Sequence, residues 1–400
     1  MIKGLDSCRA ARLLASLALL LTPLFASAFD LQGHRGDSFL RRAARSLASL
    51  ALLLTPLFAS AFDLQGHRGD SFLRRAARLL ASLALLLAPL FASAFDLQGH
   101  RGARGLAPEN TLPAFAAALS VGVSTLELDT AITRDGLVVV SHDARLNPEI
   151  TRGTDGRWLN PPTRAVRQLT LEELEHFDVG RIKPGSEYSY RFPDQKRMDK
   201  VTMPTLAQVF QLARRAGNHE VRFNIEIKTS PDKPNDTLAP EDFAKTLLGL
   251  IEREGMSSRV TIQSFDWRAL KAVQQLAPKV QTSYLSSQQR SLDNIGAEAQ
   301  GGSAWTAGVQ LSDHGSIPKM VKAAGGAIWS PYYPELRSEL VKEAHELGLQ
   351  VIPWTVNQVE DMARLIDWGV DGLITDRPDT LREVLAEKKL LLPKPTPVAP

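Results

Sequence analysis

The sequence predicts an α/β fold, a TIM-type (β/α)8 barrel with an inserted segment after the second strand. The first observation behind this prediction is that short apolar segments alternate with amphipathic segments over about 290 residues, from Phe95 to Lys388. Strict alternation of strands and helices implies a parallel sheet, and about eight such units close into a barrel. The second observation is that polar residues gather at the ends of the predicted strands, where such barrels carry their active sites.

Residue periodicity assigns each element in turn. Apolar segments bounded by turn residues predict strands at residues 95–102, 125–132, 222–229, 260–265, 280–285, 327–331, 350–356 and 372–375. Apolar side chains at helical spacing predict helices at residues 110–121, 205–217, 241–254, 267–276, 317–324, 335–347, 359–368 and 380–388. Thr205 follows a proline and is the predicted N-cap of its helix. A turn at residues 134–136 leads into a further strand, 137–143, which completes a hairpin with the second strand.

An irregular segment interrupts the alternation after this hairpin. Residues 144–203 are rich in Pro, Gly, Arg and aromatic residues and contain one predicted short helix, 171–177. A segment of this length without regular structure is uncommon inside a compact domain unless it serves a function. We interpret it as an insertion that shapes the pocket. The predicted barrel domain therefore spans residues 95–388, and residues 389–400 are predicted to be a Pro-rich tail.

Residues 1–94 are predicted to be a triplicated leader that resembles a signal peptide. The motif Gly-His-Arg-Gly begins at Gly33 and recurs at Gly66 and Gly99, a spacing of 33 residues. A period of this length could indicate a solenoid. Each unit, however, has a basic run, an apolar run and an Ala-Ser-Ala end, which is the plan of a secretory signal. Each apolar run is shorter than the roughly 20 residues that span a membrane.

This leader predicts a bacterial protein that is exported, periplasmic or secreted, without stable membrane insertion after signal cleavage. We expect cleavage after Ala94, with Ala28 and Ala61 as alternatives. The upstream copies His34 and His67 are each followed by Asp-Ser-Phe-Leu and then by basic residues, so neither copy completes a site.

The charge balance gives no reason to expect a nucleic-acid partner. The leader holds 11 of the 47 basic and 5 of the 44 acidic residues, so residues 95–400 carry a formal net charge of −3. The basic isoelectric point of the whole chain therefore reflects the leader. The single cysteine, Cys8, also lies in the leader, which suits an exported protein that needs no disulfide.

Two carboxylates share one face of the second predicted strand. In TLELDTAI (Thr125–Ile132), Glu127 and Asp129 point one way and the leucines the other, because side chains alternate along a strand. Both faces of a parallel sheet are covered, so paired carboxylates need compensation, which a divalent cation such as Mg²⁺ or Ca²⁺ supplies. The alternative is a half-exposed strand with a solvated polar face.

A second strand carries the same kind of pattern. In RFNIEIKT (residues 222–229), Asn224, Glu226 and Lys228 share one face and apolar residues the other. Glu226 could be a third metal ligand, and Lys228 could contact a phosphate oxygen as a point charge. Two strands with apolar outward faces and convergent inward charges favour a site at the mouth of a barrel.

Further candidates lie at other strand ends. We predict that His100 and His142 act as an acid/base pair, although a histidine at a strand end could instead cap backbone groups. Arg101 could bind phosphate or pair with a barrel carboxylate. Glu109 precedes a helix, and its negative charge could interact with the positive N-terminal end of the helix dipole. Trp354 could stack on the carbon skeleton of a substrate or pack in the core.

Two segments near the C-terminal half complete the sequence-based interpretation. Gln263, in Gln-Ser-Phe, could supply a hydrogen bond to the substrate. The run Asp371–Pro378 is interpreted as structural, a buried last strand with polar ends.

Eight short motifs occur in an order that resembles the glycerophosphodiester phosphodiesterases. They are HRG (100–102), PENT (108–111), ELD (127–129), HD (142–143), NIEIK (224–228), QSF (263–265), WTVN (354–357) and DGLITDRP (371–378). The resemblance covers residues 95–388, and the segment LTLEEL (169–174) is most similar to the exported bacterial branch.

The resemblance implies a TIM-type barrel that binds one divalent cation, Ca²⁺ or Mg²⁺, and a small-molecule glycerophosphodiester substrate. It also implies a role for each matching residue. The metal ligands would be Glu127, Asp129 and Glu226, and the acid/base pair would be His100 and His142. Arg101 and Lys228 would contact the phosphate, and Glu109 would be a carboxylate near the site.

The activity implied by the resemblance is hydrolysis to sn-glycerol 3-phosphate and an alcohol. One histidine would remove a proton from the nucleophile and the other would protonate the leaving alcohol. The nucleophile could be water or the C2 hydroxyl of the substrate, which would give a cyclic phosphate first. The alternatives are a phospholipase D-like lyase on intact lipids and a non-catalytic exported protein that binds phosphodiesters. Head-group preference and oligomeric state stay open.

Overall fold

Residues 95–296 and 302–400 are described by the structure, a computed structural model. Eight parallel strands form a ring, and each is followed by a helix, as the sequence predicts. The strands are β1 (Asp96–Gly99), β2 (Thr125–Ile132), β3 (Arg222–Ile227), β4 (Val260–Ser264), β5 (Gln281–Ser286), β6 (Ile328–Pro331), β7 (Gln350–Val351) and β8 (Gly372–Thr375). The helices are α1 (Leu112–Val121), α2 (Leu206–Arg215), α3 (Pro240–Arg253), α4 (Trp267–Leu276), α5 (Ile317–Ala323), α6 (Ser338–Glu346), α7 (Val359–Asp367) and α8 (Pro378–Glu387).

The ring closes between its first and last strands. β1 pairs with β2 on one side and with β8 on the other, and the remaining strands pair in sequence from β2 to β7. Backbone hydrogen bonds join β8 to β7 and the residues after it: Asp371 N donates to the Val351 carbonyl (2.9 Å) and Ile374 N to the Pro353 carbonyl (3.0 Å). The predicted barrel is therefore confirmed.

Alternation along the strands divides the core into an outer and an inner part. Leu126 and Leu128 of β2 are fully buried in the large apolar cluster between strands and helices. A separate cluster, formed by Ile328, Ile352 and Ile374, lies on the opposite faces of the last three strands, inside the ring. The inner faces of the other strands carry polar side chains, and those nearest the C-terminal ends form the site described below.

Several element boundaries differ from the predictions for local reasons. β7 covers two residues rather than seven, because Pro353 has no backbone N–H to donate to a ladder. α6 begins at Ser338 instead of residue 335, after a 3-10 turn at Tyr333–Glu335. α8 begins earlier, with Pro378 in its first turn, where a missing N–H does no harm. The predicted N-cap is confirmed, since the Thr205 side chain accepts from Gln208 N.

The segment between the hairpin and α2 packs against the C-terminal end of β2. Strand Val138–Val140 pairs antiparallel with that end of β2. Residues 144–203 contain short helices at Leu171–Glu175 and Glu187–Arg191, of which the sequence predicted the first. Residues of this segment and of the hairpin form a small apolar cluster of their own, which contains Ala131, Val139, Leu146, Val166, Leu169 and Leu174. This segment therefore lies beside the C-terminal end of the barrel.

Among the described residues, no helix is long and apolar enough to cross a membrane. The predicted leader, residues 1–94, lies outside the described part of the chain.

The Pro-rich tail packs on the barrel. Thr396 N donates to the Leu119 carbonyl near the end of α1 (2.8 Å), and Arg382 of α8 donates to the Pro393 carbonyl (2.7 Å). The Val398 side chain packs against the large apolar cluster. The tail thus connects α1 to α8, the helices that follow the first and last strands.

Deleting residues 393–400 should lower the free energy of unfolding by roughly 1–2 kcal/mol, because these hydrogen bonds and the Val398 contact are lost. For a domain of this size we expect the melting temperature to fall by about 2–6 °C. Thermal unfolding followed by circular dichroism measures the change. Deleting only residues 399–400 is the control. An unchanged melting temperature after the longer deletion would show that the tail contributes nothing.

Candidate active site

Three carboxylates meet at the C-terminal end of the barrel. Glu127 and Asp129 project inward from β2, and Glu226 projects inward from β3, where it is the register partner of Asp129. One carboxylate oxygen from each lies within 4.8 Å of the other two, and all three side chains are buried. The alternative of a solvated polar face is therefore wrong, because every residue of β2 is buried.

Two cations flank this carboxylate group. Lys228 Nζ lies 2.9 Å from Glu226 Oε1 and 3.6 Å from Asp129 Oδ1. Arg101 Nη1 lies 2.8 Å from Glu109 Oε1, and its Nε is 3.3 Å from Asp129 Oδ2. Both predicted phosphate-binding residues are therefore brought to the edge of the carboxylate group.

The loop between β1 and α1 has a close-packed backbone that places Arg101. A Cβ at Gly99 would lie 2.1 Å from the Gly102 carbonyl oxygen, and a Cβ at Gly102 would lie 2.7 Å from the backbone of Ala114. This packing allows only glycine on either side of His-Arg. Arg101 itself has a positive φ of 49°, and its backbone N–H donates to Glu127 Oε2 (2.7 Å).

Burial makes the charges of this group strongly interdependent. Burial and the charge of Asp129 raise the pKa of Glu127 well above its ordinary value. Burial also raises the pKa of Glu226 to about 7, against the opposing effect of Lys228. Asp129 differs, because Lys228 and Arg101 outweigh its burial and hold its pKa well below the ordinary value. The three carboxyls are therefore fully ionised together only if more positive charge is supplied.

A divalent cation fits these residues. The carboxylate oxygens are the hard ligands that Ca²⁺ and Mg²⁺ prefer, and the buried Asp129 Oδ1 has no hydrogen-bond partner. A divalent cation would add two positive charges beside Arg101 and Lys228, which favours the binding of an anion such as a phosphodiester.

His100 is held by a carboxylate at the other end of the chain. Its Nδ1 lies 2.7 Å from Asp376 Oδ1, and its Nε2 faces Glu127 Oε2 at 3.9 Å. Burial and the charge of Arg104 lower the pKa of His100 to about 3, although Asp376 acts in the opposite direction. Arg104 also grips Asp376 with two N–H groups (2.7 and 3.0 Å). His100 is therefore neutral, with Nδ1–H directed at Asp376 and Nε2 available as a base.

His142 occupies a more open position on the hairpin. Its Nδ1 lies 2.9 Å from Asp143 Oδ1, and its side chain is 32% exposed. Burial and the nearby charges of Arg101 and Lys228 lower the pKa of His142, whereas Asp143 raises it. Each histidine thus has a carboxylate on Nδ1, which fixes its tautomer and leaves Nε2 for chemistry.

A cleft opens beside His142. It measures about 380 Å³, counting the part that is open to solvent. Its walls combine polar groups near the histidine with apolar side chains from the hairpin and the inserted segment, including Glu109, Asn147, Leu146, Ile150 and Met203.

Glu109 does not act as a helix-dipole partner, which corrects one sequence-based interpretation. The N-cap of α1 is Thr111, and Glu109 lies before it, buried. Its carboxylate accepts from Arg101 Nη1 and from the hydroxyl of Tyr188, a residue of the inserted segment. Glu109 therefore supports Arg101 at the edge of the site.

The amide of Gln263, which is a predicted substrate contact, is hydrogen-bonded to neighbouring side chains of the site. Its Nε2 donates to Glu127 Oε1 (2.8 Å) and its Oε1 accepts from Asn224 Nδ2 (2.8 Å). The side chain is buried and both ends of the amide are in use. Trp354 is half-buried and packs against the Phe265 ring, with centroids 5.3 Å apart.

Three residues of the site were missed by sequence reasoning. Asp376 lies in the run Asp371–Pro378, whose interpretation as a buried last strand with polar ends is confirmed, and its contact with His100 is an additional feature that was not predicted. Asn110 donates to Asp129 Oδ2 (2.8 Å), and Arg104 holds Asp376. Two of them lie inside recognised motifs, Asn110 in PENT and Asp376 in DGLITDRP. Arg104 carried no signal of its own.

Cation binding should strengthen as the pH rises from 6 to 8. In the protein without a cation, burial raises the pKa of Glu127 and brings that of Glu226 to about 7. When the pH is below these pKa values, the carboxyls hold protons that a cation must displace in order to bind. When the pH is above them, the carboxyls are already ionised and no proton has to be displaced. Titration calorimetry at pH 6, 7 and 8 should show affinity rising by up to about tenfold per pH unit for each displaced proton. A pH-independent affinity would contradict the assignment of these ligands.

Sequence comparison agrees with this geometry. A model of the glycerophosphoryl diester phosphodiesterase family matches residues 100–380. A glycerophosphodiester phosphodiesterase of Caldanaerobacter subterraneus subsp. tengcongensis is 31% identical over 276 residues, covering 68% of this chain and 90% of that protein. A glycerophosphodiester phosphodiesterase of Bacillus subtilis is 29% identical, with 70% of this chain and 83% of that protein covered.

Solved structures share the fold. A crystal structure from Silicibacter pomeroyi is 36% identical with a TM-score of 0.66, covering 74% of this chain and 95% of that one. An Oleispira antarctica phosphodiesterase, solved in complex with the product sn-glycerol-3-phosphate, is 20% identical with a TM-score of 0.53, covering 72% and 96%. The family match over most of the barrel and the relative at 31% identity lead to one conclusion: the chain belongs to the glycerophosphoryl diester phosphodiesterase family.

Proposed function

We propose that this glycerophosphodiester phosphodiesterase releases sn-glycerol 3-phosphate and an alcohol by acid/base catalysis between His100 and His142. The observation that carries the proposal is that both histidines, each with a carboxylate on Nδ1, border one buried group of three carboxylates. The Oleispira antarctica phosphodiesterase, which has the same fold, was solved with sn-glycerol-3-phosphate as its product. This product supports the proposed substrate class.

A divalent cation, Ca²⁺ or Mg²⁺, held by Glu127, Asp129 and Glu226, would neutralise charge on the phosphoryl oxygens. Arg101 and Lys228 take up the remaining negative charge as the transition state forms. Their present partners are carboxylates of the same group, so both side chains already lie where a phosphate would approach. Trp354, beside Phe265, borders the carbon skeleton of the substrate.

The two histidines divide the proton transfers. His100 is the buried neutral imidazole, so it removes the proton from the nucleophile through Nε2. His142 borders the open cleft, so it protonates the oxygen of the leaving alcohol. Burial and the charges of Arg101 and Lys228 lower the pKa of His142. A bound phosphodiester offsets those two charges and so acts with Asp143 in favour of the protonated ring. Phosphorus NMR identifies the nucleophile, because attack by the C2 hydroxyl produces a cyclic phosphate.

The first test is release of sn-glycerol 3-phosphate from glycerophosphocholine by purified protein with Ca²⁺, with Mg²⁺ and with EDTA. We expect release that requires the cation and is abolished in the E127A/D129A variant. No release by folded protein under any of these conditions would favour a lyase acting on intact lipids or a non-catalytic binding protein.

Replacing either histidine should reduce kcat on the order of 100-fold or more, because one proton transfer loses its catalyst. The affinity for the cation should change little in H142A, since His142 is not a proposed ligand. His219 is exposed and belongs to no part of the site, so H219A is the matched control. Full activity in H142A would contradict the acid/base assignment.

We also propose that the protein is exported and that the leader is removed. The support is the repeated plan of basic run, apolar run and Ala-Ser-Ala in residues 1–94. Sequencing the N-terminus of the protein recovered from the periplasm or medium of an expressing bacterium tests this. A terminus at Phe95 is expected, and retention of the leader in the cytoplasm would contradict export.

A further inference from the structure

A continuous chain of side-chain hydrogen bonds crosses the interior of the barrel. It starts at Asp96 at the beginning of β1, where Oδ2 accepts from Gln98 Nε2 (2.7 Å). Gln98 Oε1 accepts from Asn224 Nδ2 (2.9 Å), and the same Nδ2 donates to Gln263 Oε1 (2.8 Å). Gln263 Nε2 then donates to Glu127 Oε1 (2.8 Å). The chain therefore ends on a proposed metal ligand.

The direction of every amide in this chain is fixed by its two ends. A carboxylate only accepts hydrogen bonds, so Gln98 must turn its NH₂ group to Asp96 and its carbonyl to Asn224. When a cation is bound, Glu127 is an ionised carboxylate, and the same argument from the other end turns the NH₂ group of Gln263 to Glu127 and its carbonyl to Asn224. Between two carbonyls, Asn224 must donate twice.

Asn224 is therefore the residue on which the whole chain depends. Its Nδ2 carries two N–H groups and serves both neighbours, and its buried Oδ1 has no hydrogen-bond partner. All three amides are buried. An asparagine whose carbonyl is unpartnered in a barrel interior is retained at a cost in free energy. The two hydrogen bonds that Asn224 Nδ2 donates offset this cost.

We infer that Asn224 is a positioning residue for the metal site, which acts through Gln263 to orient the carboxylate of Glu127. The inference rests on the proposed metal site, and it adds Gln263 and Asn224 as residues that support this site from inside the barrel. Glu127 Oε1 is fixed by Gln263 and Glu127 Oε2 by the backbone N–H of Arg101, so both oxygens are held from the protein side. Partners of this kind hold a ligand in the geometry that the cation requires.

Replacing Asn224 by leucine keeps its size nearly unchanged, removes both donors and adds no charge. The carbonyl oxygens of Gln98 and Gln263 then have no donor between them, so the chain of hydrogen bonds is broken in its middle. The amide of Gln263 is held only through its bond to Glu127, and its orientation is no longer fixed from the other end.

We expect N224L to weaken Ca²⁺ and Mg²⁺ binding by about 10- to 100-fold in titration calorimetry, the range typical of lost support to a metal ligand. Activity should recover largely at saturating cation, with the KM for glycerophosphocholine little changed. Asn294 provides the matched control. It is fully buried and its Nδ2 donates to two backbone carbonyls, so N294L makes the same chemical change away from the chain. N294L should lower the melting temperature and leave cation affinity within about twofold.

A double-mutant cycle tests whether the effect passes through Gln263. In the Q263M background the link to Glu127 is already absent, so adding N224L should change cation affinity by less than about twofold. Equal cation affinity in N224L and wild type would overturn the inference and leave the metal site intact. A further full loss on adding N224L to Q263M would overturn the path through Gln263. Failure of the wild-type protein to bind any cation would overturn the proposed metal site together with this inference.

Discussion

The burial of three carboxylates within 4.8 Å of one another is the constraint on which the rest of the site depends. Like charges at this distance in a dry interior are mutually destabilising, and each neighbouring feature reduces that energy. Arg101 and Lys228 supply positive charge from two sides, and backbone and amide N–H groups occupy the carboxylate oxygens that face the protein. The protein alone leaves the balance incomplete. A cation and an anionic substrate would complete it together, and their binding would then be coupled.

Much of the fold and the central chemistry could be predicted because both depend on short-range patterns. Alternation along β2 places Glu127 and Asp129 on one face, and the helical spacing of α4 gives its boundaries without error. The residue types within one strand or helix determine these features. The same local pattern on β3 is sufficient to bring Glu226 and Lys228 to the same end of the barrel.

Features that depend on contacts between distant parts of the chain could not be predicted. Asp376 and His100 are 276 positions apart, and no periodicity in either segment indicates that they touch. The direction of the Gln263 amide is set by Asn224 and, two residues further, by Asp96, so Gln263 by itself looks equally suited to a substrate. The composition of the Pro-rich tail gives no indication that the tail packs on α1.

Arg104 gives the inserted segment a consequence for protein engineering. Its guanidinium grips Asp376, lies 4.5 Å from the centre of the Phe192 ring and donates to the Tyr188 hydroxyl (3.3 Å). A grafted loop that replaced this segment would expose the Arg104 guanidinium and change the surroundings of the Asp376 carboxylate, which contacts His100. The smallest unit that can be exchanged is therefore larger than the loop. It comprises Tyr188 and Phe192 of the segment together with Arg104, and we expect that exchanging them as one unit preserves the pKa of His100.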